Sequence, residues 1–151
     1  QTIVRAIRCG FTSVMFDGSM YPLEENIRLT KQIVEICHSV GVTVEAELGY
    51  VPGTESPRPN GTEAQPEFFT DPEEAERFVK ETGVDALAVA VGTVHGLYKG
   101  EPKIDFDRLA EIARRTNIPL VLHGGSGISD EDFKRAILHT AKVIEKFASK
   151  S

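Results

Sequence analysis

Hydrophobic positions in this chain alternate between two rhythms, short apolar runs and longer stretches where apolar residues recur every third or fourth position. Residues 1–9 place Ile3, Ala6 and Ile7 at helical spacing and stop at Gly10. The run 12–17 reads as a strand closing on Asp17, and 23–40 as a helix with Leu23, Ile27, Val34 and Cys37 on one stripe, ended by Gly41. Residues 42–48 form the next strand. The stretch 49–69 is rich in Pro, Gly and Thr without periodicity, too long for an idle connection, and reads as a lid or a disordered loop. Thr70-Asp71-Pro72-Glu73 has the form of a capping box with proline inside the first turn, opening a helix that stops at Gly83. The run 85–92 is apolar on both faces, as buried parallel strands are. A turn through 93–102 leads to a helix over 105–116 with Phe106, Leu109 and Ile112 facing in, then to a strand over 118–123. From Ser129 a single long helix carries Phe133, Ile137, Thr140, Ile144 and Phe147, leaving no fifth strand. A helix followed by four strand–helix units predicts an α/β fold of parallel strands with crossover helices.

The polar residues that interrupt this pattern collect at one kind of place. Asp17, Glu47, His95 and His123 all stand at or just past strand C-terminal ends, where α/β folds carry their sites. They are separated by 30, 48 and 28 residues, and the middle gap contains the long loop. Units of roughly 30 residues repeated eight times make a closed barrel, so the chain holds about half of one. Glu45 and Glu47 are two apart on a strand and point to the same side, where two carboxylates need a cation or a proton. The alternative is a strand end bathed in solvent, a reading that weighs more on Glu45 than on Glu47. His95 and His123 beside glycine-rich turns suit zinc, while His38 and His139 sit in helices without such company and read as surface residues. His123-Gly124-Gly125-Ser126-Gly127, just ahead of a helix start, offers backbone N–H groups to an anion the size of a phosphate. Lys99 could reach a phosphate as a point charge or simply face water.

Composition narrows the class. The 151 residues are 40% hydrophobic and 26% charged, enough for one globular domain with a real core. A net charge of −6 and the lack of a basic stripe argue against a nucleic-acid partner. No run of about eighteen apolar residues offers a membrane span, and no charged-then-apolar leader opens the chain. Cys9 and Cys37 lie in apolar helical patterns and read as two buried thiols of a reducing, cytoplasmic compartment. The opening Gln1-Thr2-Ile3 lacks an initiator Met and starts inside a helical pattern, as a piece of a longer protein would.

Four stretches together carry a resemblance: Phe11-Thr12-Ser13-Val14-Met15-Phe16-Asp17, Val44-Glu45-Ala46-Glu47-Leu48-Gly49, Gly92-Thr93-Val94-His95-Gly96-Leu97-Tyr98-Lys99 and His123-Gly124-Gly125-Ser126-Gly127. In order and spacing, over residues 3–143, they resemble the class II, zinc-dependent fructose-bisphosphate and tagatose-bisphosphate aldolases. The resemblance implies a TIM-barrel fold, of which this chain would be the middle four units. It also implies a homo-oligomeric enzyme that splits a ketose 1,6-bisphosphate into dihydroxyacetone phosphate and glyceraldehyde 3-phosphate. His95 and His123 fall on two zinc ligands, and Asp17 and Glu47 on carboxylates that hold a second or displaced ion. Gly96, Gly124, Gly125 and Ser126 fall on contacts to the ketone phosphate, with Lys99 nearby, and Glu55 on the loop glutamate that moves the proton. Pro52-Gly53-Thr54-Glu55-Ser56 departs from the family's usual Gly-Gly-x-Glu-Asp. The family's first zinc histidine with its neighbouring aspartate, and the strand after the last helix, have no counterpart here. The resemblance thus leaves two readings, an aldolase incomplete in this chain alone and a half-barrel that binds metal or phosphate weakly or pairs with another chain.

Overall fold

A computed structural model of the chain describes residues 2–53, 66–95 and 103–148. The elements are α1 (Thr2–Arg8), β1 (Ser13–Asp17), α2 (Leu23–His38), β2 (Thr43–Leu48), α3 (Pro72–Thr82), β3 (Ala86–Val89), α4 (Phe106–Thr116), β4 (Leu120–Val121) and α5 (Asp130–Ala148). Short 3-10 turns at Pro66–Phe68 and Gly125–Gly127 precede α3 and α5. The four strands form one sheet in the order β1-β2-β3-β4, every pair parallel. This is the α/β arrangement of successive βα units that the hydrophobic rhythm predicts.

Alternation along each strand separates two chemistries. Val14, Val44, Ala46, Leu48, Leu87 and Val89 are buried in one core with Ile27 and Val34 of α2, Phe78 of α3 and Leu109 and Ile112 of α4. The other face follows from the register, which pairs Met15 with Glu45, Asp17 with Glu47, Glu45 with Ala86, Glu47 with Ala88 and Ala88 with Val121. Registered neighbours in a sheet share a face, so this second face bears the acidic residues and, two beyond Val121, His123. The helices cover one side of the sheet and leave the polar side for the site.

Three local outcomes differ from the sequence reading. Cys37 is buried but Cys9 is exposed, because it lies in the turn past α1, a helix with no fully buried residue. The N-cap of α3 is Asp71, whose carboxylate accepts from the N–H groups of Glu73 and Glu74. Thr70 instead turns inward, donating to the Leu48 carbonyl at 2.6 Å and accepting from the Ala90 N–H at 2.8 Å. Finally, the run 118–123 is paired only over Leu120–Val121. Pro119 has no N–H to add to the ladder, and its carbonyl accepts from the N–H of Leu87.

Candidate metal centre

Glu47 is the residue on which the site is built. It lies one position before the end of β2 and is only 3% exposed. Its backbone is fixed from the helix side, where the Asn26 Nδ2 donates to the Glu47 carbonyl at 3.0 Å and the Asn26 Oδ1 accepts from Thr30 Oγ1 at 3.1 Å. Asn26 is itself fully buried, and Gly18 leaves room for it, since a Cβ there would collide with its amide. A buried carboxylate held this way requires a cationic or hydrogen-donating partner.

His123 supplies one. Its Nδ1 lies 2.9 Å from Glu47 Oε2 and its Nε2 lies 3.0 Å from Glu45 Oε1. In the metal-free chain the hydrogen bonds to Glu45 first and Glu47 second raise its pKa from 6.5 to about 10, against the opposing effect of burial. The two carboxylates belong to β2 and the histidine to the end of β4, so the contact crosses over β3. Strands lie about 4.8 Å apart, so the side chains bridge roughly twice that distance. They can do so because the residues of β3 in register with Glu45 and Glu47 are Ala86 and Ala88.

His95 reaches the same place from the segment after β3. Its N–H donates to the Pro52 carbonyl at 2.7 Å, and it forms a bridge with Gly53 that fixes the start of the long loop beside the site. The rings of His95 and His123 are 5.6 Å apart. Gly124 holds the two histidine segments together: it adopts φ 70° and lies so close to the Val94 backbone that a Cβ would clash with it.

One ligand atom from each of Glu47, His95 and His123 lies within 4.8 Å of the others. Ligands about 2.1 Å from a tetrahedral zinc stand about 3.4 Å apart, so small side-chain movements close this group on an ion. Two imidazole nitrogens and a carboxylate oxygen are donors suited to zinc, and the residues fit a metal. Asp17 is not drawn in. It occupies the same sheet face one strand away from Glu47, but it is exposed and its Oδ1 accepts from the backbone N–H and the hydroxyl of Ser19, at 2.9 and 2.6 Å. A side chain satisfied within its own turn has little reason to reach across. Gly124, Gly125 and Ser126 follow the site histidine directly, with Ser126 exposed. Glu55, Gly96 and Lys99 lie outside the described residues.

Sequence reasoning undervalues one contributor and misses another. Glu45 is paired with Glu47 in the sequence as a carboxylate needing a cation or a proton but reads as the more solvent-facing, yet it holds His123 as closely as Glu47 does; the two-residue spacing is its signal. Asn26 has none, because an asparagine in a helix shows its purpose only once the helix packs on β2.

Comparison with known proteins gives the family and the fold. The family described as fructose-bisphosphate aldolase class-II matches residues 1–144. The YdjI aldolase of Escherichia coli K12 is 44% identical, superposes with a TM-score of 0.75, and is matched over 89% of this chain and 45% of its own. A candidate fructose-1,6-biphosphate aldolase of Coccidioides immitis is 36% identical with a TM-score of 0.79, covering 91% of this chain and 49% of that one. The fructose-bisphosphate aldolase of Campylobacter jejuni is 26% identical with a TM-score of 0.67, over 86% and 39%. The chain belongs to the class II fructose-bisphosphate aldolase family. It spans about half the length of the first two of these solved structures and 39% of the third.

Proposed function

We propose that this chain carries the central part of a zinc-dependent class II aldolase that cleaves a ketose 1,6-bisphosphate to dihydroxyacetone phosphate and glyceraldehyde 3-phosphate. The observation that carries this reading is the convergence of Glu47, His95 and His123 on one point, within 4.8 Å, in a member of the aldolase family. Zinc held there would polarise the ketone carbonyl and favour the charge left by carbon–carbon cleavage. Glu47, His95 and His123 would hold it, and Asp17 would serve a displaced ion only by giving up its contacts with Ser19. The backbone of Gly124 and Gly125 with the Ser126 hydroxyl, and Gly96 with Lys99, would orient the ketone phosphate, spending remote binding energy on alignment of the reacting carbons. Glu55 would move the proton. The reading extends to residues 1–151 as a single domain that forms the middle portion of an aldolase-type barrel, in a cytoplasmic homo-oligomer.

A second reading keeps the metal and phosphate contacts but assigns catalysis to more than these residues. Among the described residues, β1 and β4 are each paired on one side only. Phe11, just ahead of β1, is 61% exposed, and Ile137, which lines a groove with Leu120 and Val121 of β4, is 48% exposed. Apolar surface and open edges of this kind call for further strands, from a second copy or from another chain.

One experiment separates the outcomes. Zinc is titrated against a competing chelator into the wild type and His95→Ala/His123→Ala, and ketose-bisphosphate cleavage is followed in a coupled assay. Saturable zinc binding lost in the double variant is expected, with turnover of these 151 residues near background because they supply two imidazoles rather than three. Equal metal retention by the variant would remove the metal centre. Turnover in the ordinary range of about 1–1000 per second would make the chain sufficient by itself and reject the second reading.

A further inference from the structure

We infer that Glu45 is a positioning residue: through His123 Nε2 it fixes the imidazole so that Nδ1 is the nitrogen presented to a metal. The inference rests on the metal reading above but concerns a residue to which that reading gives no task. His123 is held on both sides, and the two sides differ. The Nδ1 side faces Glu47, at 2.9 Å, and Glu47 is the carboxylate that shares the ligand cluster with His95. The Nε2 side faces Glu45, at 3.0 Å, and Glu45 stands outside that cluster. Imidazole can offer a lone pair at only one nitrogen while the other keeps its proton, and the partner of that proton selects the tautomer. A carboxylate accepting the distal N–H of a ligating histidine also fixes the ring plane and strengthens the ligand.

The setting of Glu45 suits this task. Its side chain is 25% exposed and that of His123 21%, so the contact is shielded but not sealed. Glu45 lies in mid-strand, in register with Met15 on one side and Ala86 on the other. Its backbone is therefore held by neighbours on both flanks, whereas His123 follows a two-residue edge strand and a glycine turn. The rigid partner orients the less constrained one.

Glu45→Gln and Glu45→Ala are compared with the wild type in two measurements. The first is zinc affinity by chelator competition. The second is NMR of protein with isotope-labelled histidine, read as the exchange-protected Nε2 proton of His123 in the metal-free state and as coupling of each ring nitrogen to bound cadmium. Glutamine keeps an oxygen that can accept from Nε2 but removes the charge; alanine removes both. The expected result is coupling at Nδ1 in the wild type and in Glu45→Gln, with affinities within about threefold of each other. In Glu45→Ala the protected proton disappears, coupling divides between the two nitrogens, and affinity falls about ten- to a hundredfold. Equal weakening of both variants with Nδ1 still coupled would reduce Glu45 to a general negative charge and overturn the inference. So would cadmium coupling at Nε2 in the wild type, or variants indistinguishable from it. Failure of the wild type to take up any metal would overturn the metal reading, and the Nε2 proton of the metal-free protein would then decide the Glu45 contact by itself.

Discussion

His123 joins both parts of the site's electrostatics, since it is hydrogen-bonded to two carboxylates and one of them is buried. Its pKa, pushed up to about 10 by Glu45 and Glu47, makes it an imidazolium in the metal-free folded chain. In the unfolded chain the ring returns to about 6.5. The group therefore favours the folded state fully below 6.5, and the contribution shrinks as pH rises towards 10, because the unfolded chain releases the proton first. Chemical denaturation of metal-free protein across that window should show stability falling with pH, and His123→Gln should flatten the slope. A slope unchanged by the substitution would mean that the two hydrogen bonds do not persist in solution. The same residue shows the limits of sequence reading. A histidine at a strand end beside a glycine turn is conspicuous, but the identity of its partners depends on register across three strands.

At the scale of elements, Thr70 shows how a polar residue can connect two strands from outside the ladder. Its hydroxyl bonds the Leu48 carbonyl and the Ala90 N–H, clamping the C-terminal ends of β2 and β3, from which Glu47 and His95 emerge. Thr70→Val keeps the shape and leaves both backbone groups buried without this partner, at a cost of about 2–4 kcal/mol. Urea unfolding should show a lower midpoint at unchanged m. A variant as stable as the wild type would mean that water or another group replaces the hydroxyl. Helices and strands are legible to within a few residues because each has a clear period and most have a glycine or proline near a boundary, while α4 ends on Asn117 in the left-handed conformation instead. Thr70 reads as part of a capping box, since both roles suit a threonine ahead of Asp71-Pro72-Glu73. Only the packed structure shows that Asp71 serves as the cap and frees Thr70 to face inward.

Among the described residues, a helix is followed by four βα units side by side, with sheet order equal to chain order and Glu45, Glu47 and His123 on one face of the sheet. That much follows from a 30-residue rhythm and from polar residues repeated at strand ends. The closeness of Glu47, His95 and His123 is suggested by their shared position at strand ends and by the aldolase resemblance. Asp17 shares the position as well, but its carboxylate is taken up by Ser19 in its own turn. A repeated position therefore nominates site residues, and local hydrogen bonding decides which of them are drawn together. β4 is shorter than its apolar run, which Pro119 interrupts with a residue that has no N–H to add to the ladder.

The alanines of β3 are, in effect, a doorway. Ala88 is fully buried under the passage between Glu47 and His123, and its worth lies in the volume it does not occupy. The centre can thus be closed without altering any group that bears charge. Ala88→Leu would place a branched side chain in the passage, with an overpacking cost of about 1–3 kcal/mol that leaves a folded chain. Zinc affinity measured by chelator competition should collapse towards that of His95→Ala/His123→Ala, although every ligand is still present. Wild-type affinity in a folded Ala88→Leu would show that the carboxylates and the histidine meet by another route. If the passage is what matters, the residues that define this centre include some with nothing to contribute but their smallness.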